Sequence, residues 1–368
     1  MWIYGLNIIL IVIYGFIFRP SRNNQSKKIF LFISFAQMTL ITSLRSQSVG
    51  WDTYIYVNQF FVIGNSTWGS SGVSWFEPGY IFLNRFILLF SDNYNWLFFF
   101  CSLLIFIPIG TFIYKYSQNV LLSVFVYISL DFFYSSMNIV RQWIAIAICL
   151  IVYRYIIEKK NFKALVYVLF STILFHNSAV VMLLFIFFLK FIKEMNVKNT
   201  LKILLSSIIV FIFFVPFLDF IINIFPVYNQ YFDSYKRNMI REGNLSMSLV
   251  YGCIFLIALI LRKSILNEGK VDIREYDTML FAVLMSFAIN LISIKLSLIN
   301  RFSYVFSIFA IVLIPNMIST IKNKKLYASI SVIIILIMLT FSGIALFYAE
   351  NGAGRSGVLP YEFFWENK

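Results

Sequence analysis

Apolar runs of about 12 to 23 residues recur along nearly the whole chain, separated by polar turns, and this repetition constrains the fold most. A bilayer core demands about twenty apolar residues per helix. Lipid admits only helices and closed barrels as spanning structures. The runs lack the alternation of barrel strands, so the chain reads as an all-α polytopic membrane protein. Twelve transmembrane spans are expected, at 2–18, 29–44, 94–114, 119–135, 141–157, 164–175, 177–192, 201–222, 247–261, 277–298, 301–319 and 326–348. Apolar residues make up 60% of the 368 positions, well above the 45–50% or so of soluble proteins. No soluble domain and no repeat interrupts the pattern, so one transmembrane domain is expected over 1–368.

The loops set the orientation. Of the 30 Lys and Arg, 20 fall between spans on one side, in segments such as Arg19–Lys28, Glu158–Lys163, Lys193–Lys202, Arg262–Asp277 and Lys322–Lys325. Positive loops face the cytoplasm, which puts both termini outside. That bias also favours a hairpin at His176-Asn177-Ser178 over one long helix through 164–192, because the alternative would send three basic loops outside. The net charge of +14 is carried entirely by the inner face. It is a topology signal, and no nucleic-acid partner is expected. Residues 2–18 lack the basic flank and clear cleavage site of a signal peptide and read as a retained first helix. Cys101, Cys149 and Cys253 lie singly in apolar runs, without disulfide or metal spacing.

The two cations divide unequally. Fifteen of the 20 inner cations are Lys, whereas seven of the ten outer ones are Arg: Arg45, Arg85, Arg141, Arg237, Arg241, Arg301 and Arg355. Topology needs charge alone. Arg adds a planar fork that grips phosphate or carboxylate in two places, so the outer side is where an anion is expected. Two outer segments, 45–93 and 223–246, are too long for connectors and are expected to line a site. The first holds an apolar stretch at Tyr80–Phe90, too short to span, which reads as a re-entrant or interfacial helix.

Each outer cluster has a plain reading beside a functional one. Arg45 to Tyr54 is either an exit loop with belt aromatics or a headgroup contact through Arg45 and Asp52. Glu77-Pro78-Gly79-Tyr80 is foremost a turn, with Glu77 a candidate base or acceptor for sugar hydroxyls. Asn138, Arg141 and Gln142 share one helix face, as a structural network or as an anion site. Arg141 has no obvious acidic neighbour, Asp131 being the nearest alternative. His176, the one histidine, is a packed residue or a proton-transfer group. Asn300, Arg301 and Tyr304 repeat the Asn–Arg pattern at another outer helix start, where the helix dipole favours anions. Arg237 and Arg241 complete a possible diphosphate clamp. The GxGxxG at 352–357 follows a membrane helix and reads as flexible tail, not a nucleotide site.

Five of these segments in order resemble the EpsG-type branch of the Wzy family of bacterial polysaccharide and O-antigen polymerases. They are Val49–Tyr54, Glu77–Tyr80, Asn138–Gln142 with Ala145, Phe175–Ala179 and Arg301–Tyr304, spanning about 45–305. The resemblance implies a GT-C-like architecture in the bacterial inner or plasma membrane, with the active site facing the periplasm or exterior. It implies transfer of a glycan from undecaprenyl diphosphate to a lipid-linked acceptor repeat, and a chain-length regulator among the partners. On chemistry, Arg141 and Arg301 would neutralise the leaving diphosphate. His176, or failing that Asp52 or Glu77, would be the general base. Arg45, Asn138, Gln142, Arg237, Arg241, Asn300 and Tyr304 would bind substrate. No metal and no cofactor is expected. A flippase, an acyltransferase and an O-antigen ligase are the rivals. Transporters place polar groups near the midplane, and here they gather at outer helix ends.

Overall fold

The computed structural model describes residues 2–67, 76–191, 194–224, 245–269, 271–294, 299–350 and 356–366. Among them every regular element is a helix, and the one β-type pairing is an isolated bridge between Arg45 and Phe363. The contacts divide the chain into two compact units, Met1–Val180 with Ile321–Lys368, and Val181–Thr320.

The first unit contains α1 (Trp2–Phe18), α2 (Asn24–Ser43), α3 (Thr53–Gly64), α4 (Pro78–Leu88), α5 (Asn95–Tyr116), α6 (Val120–Ser129), α7 (Phe132–Asn138), α8 (Val140–Ile157) and α9 (Asn161–Leu174). A 3-10 turn at Asn177–Val180 closes that run. Side-chain caps start several helices: Asn23 accepts from the amide of Ser26 and Asn119 from that of Leu122, satisfying donors that a helix start leaves unpaired. The core is aromatic. Trp143 is fully buried between Tyr127 and Phe132, and its indole N–H donates to Ser135 Oγ at 3.1 Å. A buried Trp with its one donor satisfied contributes area without a polar penalty.

The second unit contains α10 (Val181–Leu189), α11 (Val197–Ile224), α12 (Leu245–Asn267), α13 (Ile273–Ser293), α14 (Asn300–Ser307) and α15 (Ala310–Ile318). Phe185 stacks on Phe281 at 5.1 Å and meets Phe306 at 5.4 Å. Arg262 grips Asp277 with two bonds of 2.6 and 2.7 Å, and the same carboxylate accepts from the amide of Met195. This ion pair ties α12, α13 and the chain before α11 together.

The last helix, α16 (Lys324–Glu350), returns to the first unit, where the Tyr327 hydroxyl accepts from Asn119 at 2.7 Å. By length and apolarity, five described helices can cross a membrane: α5, α8, α12, α13 and α16. Two bent pairs, α6–α7 at 53° and α14–α15 at 44°, raise this to seven if each is one span. All twelve expected segments carry helix, and five to seven of them meet that measure. These helices are consistent with a multi-pass membrane protein, while the count of twelve is an expectation from the apolar runs.

The C-terminal segment differs from expectation. Arg355 lies outside the described residues, but 356–366 are no loose tail. They form a strap bonded to the loop after α2: Gly50 N–H donates to Gly357 O at 2.8 Å, Ser46 N–H to Glu362 O at 2.8 Å, and Phe364 N–H to Leu44 O at 3.0 Å. Tyr4 and Tyr361 add hydroxyl bonds to Val358 O and Ile41 O. Gly357 has φ +59° and lies on the Trp51 ring, where an added Cβ would come within 2.8 Å. Glycine is thus required by both dihedral and space. The GxGxxG pattern ends on a packing glycine.

Candidate active site

The site in the first unit forms at the break between α7 and α8. Ile139, with ψ +59°, is at once the last cap of α7 and the first cap of α8. The break places Asn138 and Arg141 at one end of the unit. Asn138 Oδ1 accepts the amide of Asp52 at 2.8 Å, which fixes the start of α3. Gly50, at φ +102°, turns the chain there, and Thr53 Oγ1 would meet any Cβ at 2.6 Å.

Arg141 is the centre of this region. Its guanidinium donates to the carboxylate of Glu77, the cap residue of α4, and the two side chains are 14% and 13% exposed. The expectation that Arg141 lacks an acidic neighbour is corrected: a carboxylate 64 residues earlier supplies one. Asp131 instead accepts from Ser356 Oγ at 3.3 Å. Pro78 sets the backbone of the first turn of α4, holding Glu77 just outside the helix. The guanidinium lies 4.2 Å from the Phe76 ring centre and 6.0 Å from those of Tyr56 and Tyr80. The three rings pack on one another at 5.4 to 6.3 Å. A cation over ring faces, removed from most of its water, interacts more strongly with any anion at its remaining edge.

Tyr80 belongs to the Glu77–Tyr80 motif, whereas Tyr56 and Phe76 are the part of the site that the sequence reading leaves out. Their signal was present: Tyr56, Val57, Phe60 and Ile63 are the buried face of α3, spaced at i, i+1, i+4 and i+7 as an amphipathic helix requires. The short helix over 80–90 does occur, as α4. Arg85, in its last turn, donates to Ser66 O at 2.9 Å and ties it to the end of α3.

His176 follows α9 and precedes the 3-10 turn. Its Nδ1 lies 2.8 Å from Ser178 Oγ and accepts the Ser178 amide at 3.2 Å. A backbone N–H can only donate, so this contact calls for a lone pair on Nδ1, which the Nε2–H tautomer provides. The ring is partly exposed. Gly79 packs on the carbonyl of Leu174, which a Cβ would approach to 2.6 Å. The Glu77 turn therefore sits against the chain two residues before His176.

Other expected residues are placed differently. Arg45 is fully buried, donating to Thr42 O at 2.7 Å and Met137 O at 2.8 Å, 4.1 Å over Phe98. Burial lowers its pKa to about 10. With its guanidinium enclosed by main-chain carbonyls and a ring, Arg45 has the surroundings of a structural arginine rather than those expected of a substrate contact. Gln142 is 1% exposed and belongs to the core of α8 rather than to a binding face. Asp52 and Asn138 remain partly exposed.

In the second unit, Arg301 is exposed at the start of α14. Asn300 accepts from Ser303 Oγ through its carbonyl at 2.7 Å and its side chain at 3.0 Å, and Tyr304 is partly buried. Arg237 and Arg241 lie outside the described residues. Among the described residues no three His, Cys, Asp or Glu side chains gather as metal ligands would.

No curated protein and no solved structure matches the chain significantly. The model of the EpsG family matches residues 28–363. That match takes in α2 to the strap, with Asp52, Glu77, Arg141, His176 and Arg301. Nearly the whole chain is covered, and it belongs to the EpsG family, which comprises Wzy-type polymerases.

Proposed function

We propose that this protein is a repeat-unit polymerase that moves a glycan from undecaprenyl diphosphate to a sugar hydroxyl of a lipid-linked acceptor repeat, on the outer face of the bacterial plasma or inner membrane. Family membership supports the polymerase. The observation that carries the chemistry is the caged Arg141–Glu77 pair at the start of α8. In the reaction, the acceptor oxygen bonds to the anomeric carbon while the bond from that carbon to the diphosphate breaks. The diphosphate leaves with the electron pair.

Arg141 is the group proposed to meet the leaving charge. It sits in the first turn of α8, where the helix dipole favours anions. Its edge now occupied by a carboxylate is of the type that accepts phosphate, since both anions fit the guanidinium fork. A diphosphate that takes this edge releases Glu77, which then receives the proton of the acceptor hydroxyl. The released carboxylate makes Glu77 the preferred base over His176. In the Nε2–H tautomer, His176 would suit donation to a phosphate or sugar oxygen. Arg301, exposed at the start of α14 in the second unit, is proposed from its own Asn–Arg pattern as a further phosphate-binding arginine. A metal is dispensable where guanidinium groups carry the charge.

The test is the lipid-linked glycan profile of a deletion strain, with reconstitution of the purified protein. Single repeats should accumulate on the lipid, and added protein should convert them to a ladder. Long lipid-linked polymer in the deletion strain would assign a ligase, and repeats held on the inner face would assign a flippase.

A further inference from the structure

In the first unit, α2 and α5 pack side by side but leave a groove of about 580 Å³ between them along most of their length. Its wall is almost wholly apolar, with Phe32, Phe35, Phe99 and Phe106 along its length and Lys28 and Tyr114 at one end. Gly110 forms part of the floor. A Cβ there would stand 3.2 Å from the Phe35 ring, so a larger residue would push on the wall.

The basic end is distinctive. Lys28 is exposed and lies 5.5 Å from the centre of the Tyr114 ring, and Lys27 lies 5.1 Å from the same centre. Lys115 adds a third ammonium 4.9 Å over Tyr116. The chain has no Asp or Glu in residues 1–51 or 93–130. Neither helix nor its adjoining turns can therefore neutralise these cations.

We infer that this groove binds one acyl chain of an anionic phospholipid, with the lipid phosphate on Lys28. Length supports the occupant. The lining on α2 runs from Lys28 to Leu40, about 18 Å at 1.5 Å per residue, slightly more than one leaflet of a hydrocarbon core about 30 Å thick. Basic residues at a membrane surface draw anionic headgroups. The position argues against the polyprenyl donor. Asn95, at the opposite end of α5, donates to Ser43 O and Arg45 O, beside the loop that leads to Asp52. Tyr114 is nineteen residues along α5, roughly 28 Å away. A donor with its diphosphate at Arg141 has its charge at the other end of a membrane-crossing helix. The Lys28 end serves a lipid of the opposite leaflet.

Native mass spectrometry of the full chain in mild detergent, with dioleoyl phosphatidylglycerol or dioleoyl phosphatidylcholine, tests this. The anionic lipid should be retained about tenfold more than the zwitterionic one. Lys28→Gln should remove that preference. Thr111→Trp, which fills the groove from its exposed rim, should abolish retention of both without lowering the melting temperature of delipidated protein. Equal retention of the two lipids, or full retention in either variant, would overturn the inference. So would displacement of phosphatidylglycerol by equimolar undecaprenyl phosphate, which would assign the groove to the substrate tail.

Discussion

Arg45 and Arg141 reach the same break between α7 and α8 from different directions, and both have lost most of their water. Arg45 spends its guanidinium on the carbonyls of Thr42 and Met137 and is fully buried. Arg141 faces the carboxylate of Glu77 among three rings and keeps 14% of its side chain exposed. Carbonyls of the main chain cannot leave, so Arg45 joins α2 to α7 permanently. A side-chain carboxylate can be replaced by another anion, so Arg141 can exchange partners. The difference between a structural arginine and the proposed catalytic one thus lies in what the guanidinium touches.

The sharpest separation comes from Arg141→Ala. Polymer formation in reconstituted vesicles should fall about 1000-fold, as loss of a preorganised charge costs, while the protein stays folded and abundant with only the drop in melting temperature that an unpaired Glu77 carboxylate brings. Arg141→Lys should recover little, because a single ammonium lacks the fork. Arg45→Ala should behave in the opposite way. Two carbonyls lose charged donors and a cavity opens, a cost of about 3–4 kcal/mol. The readout is a large drop in abundance and melting temperature, with near-normal turnover per folded molecule. A stable but inactive Arg45→Ala protein would break the comparison.

Glu77→Gln probes the exchange itself. Turnover should fall about 100-fold, the usual scale for a lost general base, with donor affinity unchanged or tighter. Equal losses in affinity and turnover would reduce Glu77 to a support for Arg141. Gly357→Ala tests the strap and should lower stability by about 1–2 kcal/mol, since alanine is strained at positive φ, as read by thermal unfolding in detergent. The smallest expected effect is that of EDTA. Activity of the purified protein should not change when divalent ions are removed.

The helices were legible because each is written in consecutive residues. The apolar runs all carry helix and the short helix over 80–90 reads as too brief to span, whereas α3 lies in a segment read as polar loop and α2 begins at Asn24, five residues before the expected span. The candidate site was legible in part. Asp52, Glu77, Arg141 and His176 could be singled out as chemistry at one side of a membrane protein, but their partners could not. Glu77 meets Arg141 across 64 residues, and the strap meets the loop at Arg45 across more than 300. Nothing local in either segment specifies the other.

The sequence by itself determined a helical, multi-pass chain, because span length and the helical period depend only on neighbours along the chain. It also carries the expectation that arginine rather than lysine lies on the outer side. The tertiary structure decided which arginine is which. Pairing follows from how helices pack and where a broken helix directs its first turn, and these depend on contacts far apart in sequence. Arg45 and Arg141 are the same residue type on the same side, and only packing made one a joint and the other a candidate catalyst.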